Sequence, residues 1–338
     1  MTGSAGRYAE LAAVVRSFKA SLMQKDRINR LIEAGTLPEA VSLMTSGQLT
    51  STDSGDLVSV ESLLIERMVK LAGALAEYAP HDSRALIRLM ARRYEMECLK
   101  QLLKSIINHV DSEVASRYVM PAGKFTTERC KELLDARNPS RALDVLEDED
   151  LKRLVSSKLA EKDELAAIAA VDQYYFMKLW SASSLPDPLD SQSARSLIGH
   201  LIDQLNIVFA LRARLMGLDS KSTSELLIPI RYGLGVSLNE LAEATNLPNL
   251  MRVVDKTQYG KVFEGRAVTE NNLDTVEQEL NRNHAQRCLT AFAGSPFNVG
   301  LAIALLFLKG YELHDMVTVL NGKTNSIPND RIVESLIL

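Results

Sequence analysis

The residues that most resemble a reactive site are Gly322-Lys323-Thr324, because these three residue types in this order end the phosphate-binding loop of many nucleotide-binding proteins. That loop also needs a glycine five positions earlier, where this chain has Val317, and it must open a helix rather than follow one. A second glycine pair, Gly233-Leu234-Gly235, lacks the third glycine of the dinucleotide-binding fingerprint, since Leu238 takes its place. The sequence therefore predicts no nucleotide site, and we interpret Gly233-Leu234-Gly235 as a turn between helices.

Metal and acid–base chemistry would need histidines, cysteines or carboxylates at short, regular spacings. Four acids in a row, Glu147 to Asp150, are interpreted as a charged loop or a helix start, since four sequence neighbours on a helix cannot all point at one ion. His200 and Asp203 are three residues apart, which favours a solvated pair on one helix face over a ligand set. No two of the five histidines have a four-residue metal spacing: His81, His109, His200, His284 and His314. The sequence thus predicts no catalytic, cofactor-binding or metal-ligating residue, and no cofactor.

The three cysteines, Cys98, Cys130 and Cys288, are far apart in the sequence and odd in number. No Cys-x-x-Cys motif is present, so neither a zinc site nor a redox motif is indicated. Free cysteine is usually a small core residue. We therefore expect buried, reduced thiols.

The composition indicates a soluble helical protein. The chain is 46% hydrophobic and 24% charged, with only 17 glycines and 10 prolines in 338 residues. Its net charge of −4 shows no basic face for nucleic acid. The longest apolar stretch, Phe297 to Leu308, is shorter than the roughly 20 residues that cross a membrane, so it predicts a buried core helix. The polar start, Met1 to Arg7, does not resemble a signal peptide.

Helices must therefore position any functional residues. Apolar residues at three- and four-residue steps predict amphipathic helices, and Ser237 with Glu240 forms a capping box. No segment is a convincing strand. The predicted long helices are Leu86–Ile107, Leu201–Leu215, Glu61–Tyr78 and Lys158–Trp180, and the short ones are Lys25–Glu33, Thr127–Ala136 and Leu238–Ala244. Exposed connections are predicted at Thr50–Gly55, Ser181–Ser193 and Gly265–Asn272.

A helical landmark recurs three times and indicates an internal repeat. It opens on Glu95, Asp203 or Glu312, positions 108 and 109 residues apart. Such self-similarity is evidence for repeated architecture. A polar or small residue stands three places after each acid: Cys98, Asn206 and Asp315. The period predicts three helical units, residues 1–110, 111–219 and 220–338.

Two further landmarks follow the same period. A Thr or Asn cap followed by proline starts a helix at Thr36-Leu37-Pro38, Asn138-Pro139 and Asn246-Leu247-Pro248. Met120-Pro121 recurs as Ile228-Pro229, 108 residues later. One such match can arise by chance, but several matches at the same spacing favour an internal repeat.

The repeated carboxylates Glu95, Asp203 and Glu312 allow two interpretations. The structural one is that each bonds a neighbouring loop from an equivalent helix position. The functional one is a ring of three acids that faces a basic partner on a three-fold axis.

With these landmarks the chain resembles a known family, the C subunits of archaeal and bacterial V/A-type rotary ATPases, which are relatives of the eukaryotic V-ATPase d subunit. The resemblance spans nearly the whole chain. The segments that look like the family are Ile202-Asp203-Gln204-Leu205-Asn206-Ile207, Leu211 to Gly217, Leu227-Ile228-Pro229, Leu308 to Leu313 and Leu320-Asn321-Gly322-Lys323. The N-terminal segment that begins at Tyr8 looks like the family as well. Cys98 departs from the asparagine that the family often has in the first unit.

The resemblance implies an all-α fold of three similar helical bundles around a pseudo-three-fold axis, shaped as a funnel. Its mouth would accept the central-stalk shaft subunits of the D and F types, and its other face would sit on the membrane proteolipid (c-type) ring. The protein would then be a non-catalytic connector on the cytoplasmic side of the membrane that transmits torque for proton or sodium transport. It would bind no nucleic acid and have no transmembrane segment of its own.

Two alternatives follow from the residues alone. A soluble all-helical scaffold or adaptor is the first, although common helical repeats run about 34 to 47 residues, much shorter than this period. An all-helical enzyme with scattered catalytic residues is the second. A thermal-shift screen separates them, because a ligand that binds the native state raises its melting midpoint. We expect no shift with ATP, magnesium or zinc.

Overall fold

The computed structural model describes residues 4–45, 57–265, 268–269 and 272–338. It is 74% helical without strands in these ranges, which confirms the all-α prediction. The predicted connection Thr50–Gly55 lies outside the described residues, and residues 266, 267, 270 and 271 of the connection Gly265–Asn272 do so as well. The helices are α1 (Ser4–Ala20), α2 (Lys25–Glu33), α3 (Leu37–Thr45), α4 (Leu57–Tyr78), α5 (His81–Ala91), α6 (Arg93–Ile107), α7 (Ser112–Ala115), α8 (Thr127–Ala136), α9 (Pro139–Asp144), α10 (Glu149–Ala160), α11 (Glu164–Ala182), α12 (Pro188–Leu215), α13 (Ser220–Leu226), α14 (Leu238–Glu243), α15 (Leu247–Asp255), α16 (Leu273–Ala291), α17 (Gly300–Thr324) and α18 (Asn329–Glu334).

Local capping sets many helix starts where the sequence predicts them. Helices α2 and α8 have the predicted bounds, and the capping box between Ser237 and Glu240 is present at α14. The Asn138 side chain accepts from the amide of Ser140 at 3.0 Å, and Asn246 does the same for Asn249 at 2.9 Å. These contacts involve residues two or three positions apart, so the sequence alone suffices to place them.

Several predicted boundaries are wrong. Two helices begin earlier than predicted, α4 at Leu57 instead of Glu61 and α12 at Pro188 instead of Leu201. Lys158–Trp180 is not one helix, because Lys162 adopts a left-handed φ of 59° and the Asp163 side chain then caps α11. Leu86–Ile107 is divided between α5 and α6 at Arg92. The predicted connection Ser181–Ser193 ends earlier, since Asp187 caps α12 and Pro188 fits its first turn, where no amide donor is needed.

Helix α17 lies at the centre of the packing. Its residues Leu301 to Leu308 are buried, which confirms the core helix predicted from the apolar stretch. It contacts α1, α3, α4, α12 and α16. No helix within the described residues has both the length and the apolar character to cross a bilayer.

The N-terminal helices pack against the C-terminal end of the chain. One hydrophobic cluster joins α2, α3 and the start of α4 to the end of α17 and to α18, with Leu31, Val41 and Leu320 fully buried within it. The Lys323 ammonium donates to the carbonyl of Ile32 across this junction. The two ends of the sequence therefore form one packed region.

Several helix starts are tied together at one end of the molecule, which we call the joined end: Arg7, Asp82, Asp187, Asp190 and Val299. Arg7 pairs with Asp82 at 2.9 Å and with Asp187 at 3.7 Å. The Asp190 carboxylate accepts from the Val299 amide at 3.0 Å. These contacts bring the starts of α1, α5, α12 and α17 together.

The opposite ends of the long helices form what we call the mouth: Glu61, Arg212, Glu277 and Asn321. Glu61 near the start of α4 bonds the Asn321 side chain near the end of α17. Arg212 near the end of α12 pairs with Glu277 in α16 at 2.5 Å. Helices α4 and α16 therefore run antiparallel to α17 and α12 and begin where those helices end.

Candidate functional site

A cavity lies between helices from the N-terminal, middle and C-terminal parts of the chain. Its volume is about 630 Å³, and its walls come from α4, α6, α11, α12, α16 and α17. The lining includes Asp274, which is exposed and lies at the mouth one helical turn before Glu277, so solvent reaches the cavity from the mouth. The lining residues of α16, Asp274 to Asn281, lie in the first half of that helix, towards the mouth, whereas those of α4, Glu61 to Ala72, extend past its midpoint.

A charged cluster lies beside the cavity wall between α6 and α11. The Lys100 ammonium contacts the Asp172 carboxylate at 2.8 Å and that of Glu97 at 3.0 Å. Burial lowers the pKa of Lys100, but the two carboxylates raise it more, so Lys100 stays charged. These contacts join α6 to α11, two helices that are far apart in the sequence.

One arginine and several acids line the cavity itself. Arg93 shares the wall with Glu97 and three tyrosine rings, and it is the sole lysine or arginine among the described lining residues. Burial raises the pKa of Glu61 to about 7, against a smaller lowering by its bond to Asn321. The cavity is therefore a partly apolar space with an acidic lining.

The repeated carboxylates lie elsewhere, and each binds the backbone of a loop. Asp203 accepts from the amides of Tyr232 at 3.0 Å and Gly233 at 2.7 Å. Glu95 accepts from the Lys124 amide at 3.1 Å, and Glu312 accepts from that of Met23. The structural interpretation is therefore confirmed. The ring of three acids facing a partner is wrong, because these carboxylates are largely buried and already bonded.

In the second and third copies of the landmark, the residue three positions after the acid also bonds a distant segment of backbone. Asn206 accepts from the Ile228 amide at 2.8 Å and donates to the Ile228 carbonyl at 3.0 Å. Asp315 accepts from the Ile337 amide at 2.7 Å, so the chain end occupies the matching place. In the first copy Cys98 is present instead, and Gln101 accepts from the Met120 amide at 2.8 Å.

His200 and Asp203 do not form the solvated pair that the sequence predicts. The Tyr259 hydroxyl bonds the His200 Nδ1 at 2.7 Å and the Asp203 carboxylate at 3.2 Å. The Arg287 guanidinium lies 3.1 Å from His200 Nε2. Burial, with a smaller effect of Arg287, lowers the pKa of His200 to about 4. The pair belongs to a buried polar network that tertiary packing creates.

The other chemical motifs are structural. Gly322-Lys323-Thr324 lies inside the last turns of α17 and cannot open a helix. Asp148 caps α10, which confirms the helix-start interpretation of Glu147 to Asp150. All three cysteines are free and buried, as predicted, with the Cys98 and Cys130 sulfurs 3.7 Å apart. Within the ranges that the structure describes, no group of three His, Cys, Asp or Glu residues is arranged as a metal-ion site.

Sequence reasoning missed the charged residues around the cavity. Glu61, Arg93, Glu97 and Glu277 follow no motif, and their neighbours give no hint of a shared location. Asp172 carried one signal, because it is a lone charge that follows the apolar run Ile168 to Val171 in α11. A buried charge is costly without a partner, so a partner such as Lys100 was to be expected.

His284 gives a pH-dependent prediction. It is 0% exposed and bonds the Tyr311 hydroxyl at 2.8 Å and the Leu197 carbonyl at 2.9 Å. Burial lowers its pKa from 6.5 to about 4. As the pH falls from 6.5 to 4, His284 becomes protonated in the unfolded chain but stays neutral in the folded chain, so the folded state loses stability in this pH range. The total loss from this histidine is about 3 kcal/mol.

The measurement compares urea unfolding of the native chain and His284→Gln at several pH values. Other groups titrate equally in both proteins, so the difference between them isolates His284. The variant should gain about 3 kcal/mol relative to the native chain between neutral and acidic pH. A difference that stays constant with pH would show that His284 does not resist protonation.

The chain is similar in sequence to C subunits of archaeal A-type ATP synthases. The chain is 23% identical over 350 residues to the A-type ATP synthase C subunit of Methanocaldococcus jannaschii, with 98% of this chain and 86% of the relative covered. It is 24% identical over 322 residues to the A-type ATP synthase C subunit of Pyrococcus horikoshii, covering 92% and 85%. The protein of the same name from Methanosphaera stadtmanae is 22% identical over 334 residues, covering 96% and 86%.

The sequence profile described as ATP synthase (C/AC39) subunit matches residues 11–335, nearly the whole chain. The family and relative names denote a non-catalytic subunit, which confirms the prediction that the protein is not an enzyme. The resemblance drawn from the residues is confirmed as well. On the profile match and the shared full-length similarity, this chain belongs to the ATP synthase (C/AC39) subunit family.

Proposed function

We propose that this chain is the central-stalk connector of a V/A-type ATP synthase, a peripheral subunit on the cytoplasmic face of the membrane. It joins the rotor shaft of D- and F-type subunits to the proteolipid ring and transmits torque between them. The observation that carries the proposal is the cavity of about 630 Å³, walled by helices from the whole chain and reached from the mouth. Such a hollow suits the end of a helical shaft.

The two ends of the molecule suit the two partners. The shaft enters the mouth, and the joined end sits on the ring. Three exposed apolar side chains lie within a few residues of the joined end: Tyr78 is 46%, Leu189 64% and Phe297 36% exposed. Exposed apolar groups near one another favour contact with another protein.

The repeat supports a pseudo-three-fold arrangement of three bundles, with covalent units 1–110, 111–219 and 220–338. Bonds from Glu95, Asp203 and Glu312 to loop amides recur at this period. We infer that α2 and α3 complete the third bundle, since they pack on α17 and α18. In this arrangement the hydrogen bond from the Met23 amide to Glu312 corresponds to the hydrogen bond from the Gly233 amide to Asp203. Closure of the two chain ends on each other would resist twisting.

The function is tested by obstructing the cavity. Gly310 lines it, and a Cβ there would make only ordinary contact, with the Tyr94 hydroxyl at 3.7 Å. Gly310→Trp therefore places a large side chain in the cavity without backbone strain. We expect at least about tenfold weaker binding to the purified shaft subunits, as for loss of a central interface contact. Binding is measured by calorimetry or co-purification.

Gly73→Trp is the matched control, because Gly73 lies in α4, does not line the cavity and has open space around it. It should bind the shaft like the native chain. Circular dichroism verifies folding, and Val317→Trp replaces Gly310→Trp if the latter does not fold. Equal binding by the cavity and control variants would overturn the proposal, as would a native chain that binds no shaft.

A further inference from the structure

We infer that the shaft segment entering the cavity presents lysine or arginine side chains to Glu61, Asp274 and Glu277 at the mouth. This inference rests on the proposed function and names the chemistry of the partner's contact face. Among the residues that the structure describes, the lining holds four carboxylates, those of Glu61, Glu97, Asp274 and Glu277, and one guanidinium, that of Arg93. The cavity wall therefore has an excess of negative charge.

The four carboxylates differ in whether a positively charged side chain of this protein lies beside them. Glu97 has Lys100 at 3.0 Å, so its charge is balanced inside the wall. Glu277 has Arg212 at 2.5 Å, but that arginine is 46% exposed and weakly held. Asp274 forms no ion pair or side-chain hydrogen bond with any residue that the structure describes. Among the described residues Glu61 bonds the neutral Asn321, and because burial raises its pKa to about 7, it carries only part of a negative charge at neutral pH. The uncompensated charge is therefore at the mouth.

A bound shaft removes water from these carboxylates. A neutral or apolar face would leave the Asp274 carboxylate without a charged partner, which costs free energy. An acidic face would add repulsion. A basic face supplies the missing counter-charge, and the tyrosine rings in the same wall, Tyr94, Tyr175 and Tyr311, favour a cation over their faces. Charge complementarity thus selects one class of occupant.

The test measures the affinity of the full chain for purified D- and F-type shaft subunits at low and high salt. The cavity variant is Asp274→Asn with Glu277→Gln, which removes two mouth charges. The control is Glu128→Gln with Asp135→Asn, which removes two exposed charges from α8 and changes the net charge equally. Both are compared at about 50 mM and about 300 mM salt, where charge screening differs strongly.

We expect the native chain to bind more weakly at high salt. The cavity variant should bind about tenfold more weakly at low salt and lose most of its salt dependence. The control should match the native chain. If the cavity variant binds as tightly as the control, or more tightly, the basic contact face is refuted while the shaft function stands. If the native chain does not bind the shaft at either salt, the proposed function fails first, and this inference falls with it.

Discussion

Replacement of Asp203 by alanine is expected to cost about 3–5 kcal/mol of unfolding free energy, because three buried donors lose their acceptor at about 1–3 kcal/mol each. Asp203 is 0% exposed and accepts from the Tyr232 and Gly233 amides and the Tyr259 hydroxyl. The loop that it holds packs against the middle of α12. Urea unfolding followed by circular dichroism measures the loss.

Asp203→Asn is the conservative comparison. It keeps the shape and one carbonyl acceptor, so it should lose clearly less stability than Asp203→Ala. Glu132→Ala, an exposed acid on α8, should leave the urea midpoint unchanged. A loss below about 1 kcal/mol for Asp203→Ala would mean that the carboxylate does not hold the loop. The recurrence of the acid at Glu95 and Glu312 would then need another explanation.

Replacement of Lys100 by methionine is expected to cost about 3–5 kcal/mol of unfolding free energy, because it leaves buried carboxylates without their counter-charge. The side chains of Lys100 and Asp172 are 15% and 16% exposed. The double variant Lys100→Met with Asp172→Leu removes both charges of the main pair and should recover most of the loss. A double-mutant cycle with urea unfolding gives the coupling between the two residues.

Lys152→Met is the matched control, since Lys152 also pairs with an aspartate, Asp144, but at the surface. Its urea midpoint should stay close to that of the native chain, because exposed pairs contribute little. If the free-energy losses of Lys100→Met and Asp172→Leu add up in the double variant, the two residues are not coupled. The same variants also test the proposed connector function, because a less stable contact between α6 and α11 should weaken shaft binding at the cavity.

Much of the helix pattern could be predicted, and the errors have a physical cause. Caps such as Asn138, Asn246 and the Ser237–Glu240 box were placed correctly because their donors and acceptors are within three residues. The break at Lys162 lies in a run of four charged residues, Glu161 to Glu164. It was missed because the exposed face of an uninterrupted helix can carry charged residues as well, so the run does not reveal the left-handed φ. Periodicity indicates which face is buried, not where the backbone turns.

Residue types, short spacings and the order of landmarks along the chain were enough to establish the all-α class, most helix starts, the buried cysteines and the family. The roles of the charges depended instead on tertiary packing. Lys100 and Asp172 are 72 residues apart, Met23 and Glu312 are 289 apart, and the mouth acids come from α4 and α16. Whether a carboxylate is solvated, bonded to a loop or left facing a cavity depends on which distant helix packs beside it and how much water that packing excludes.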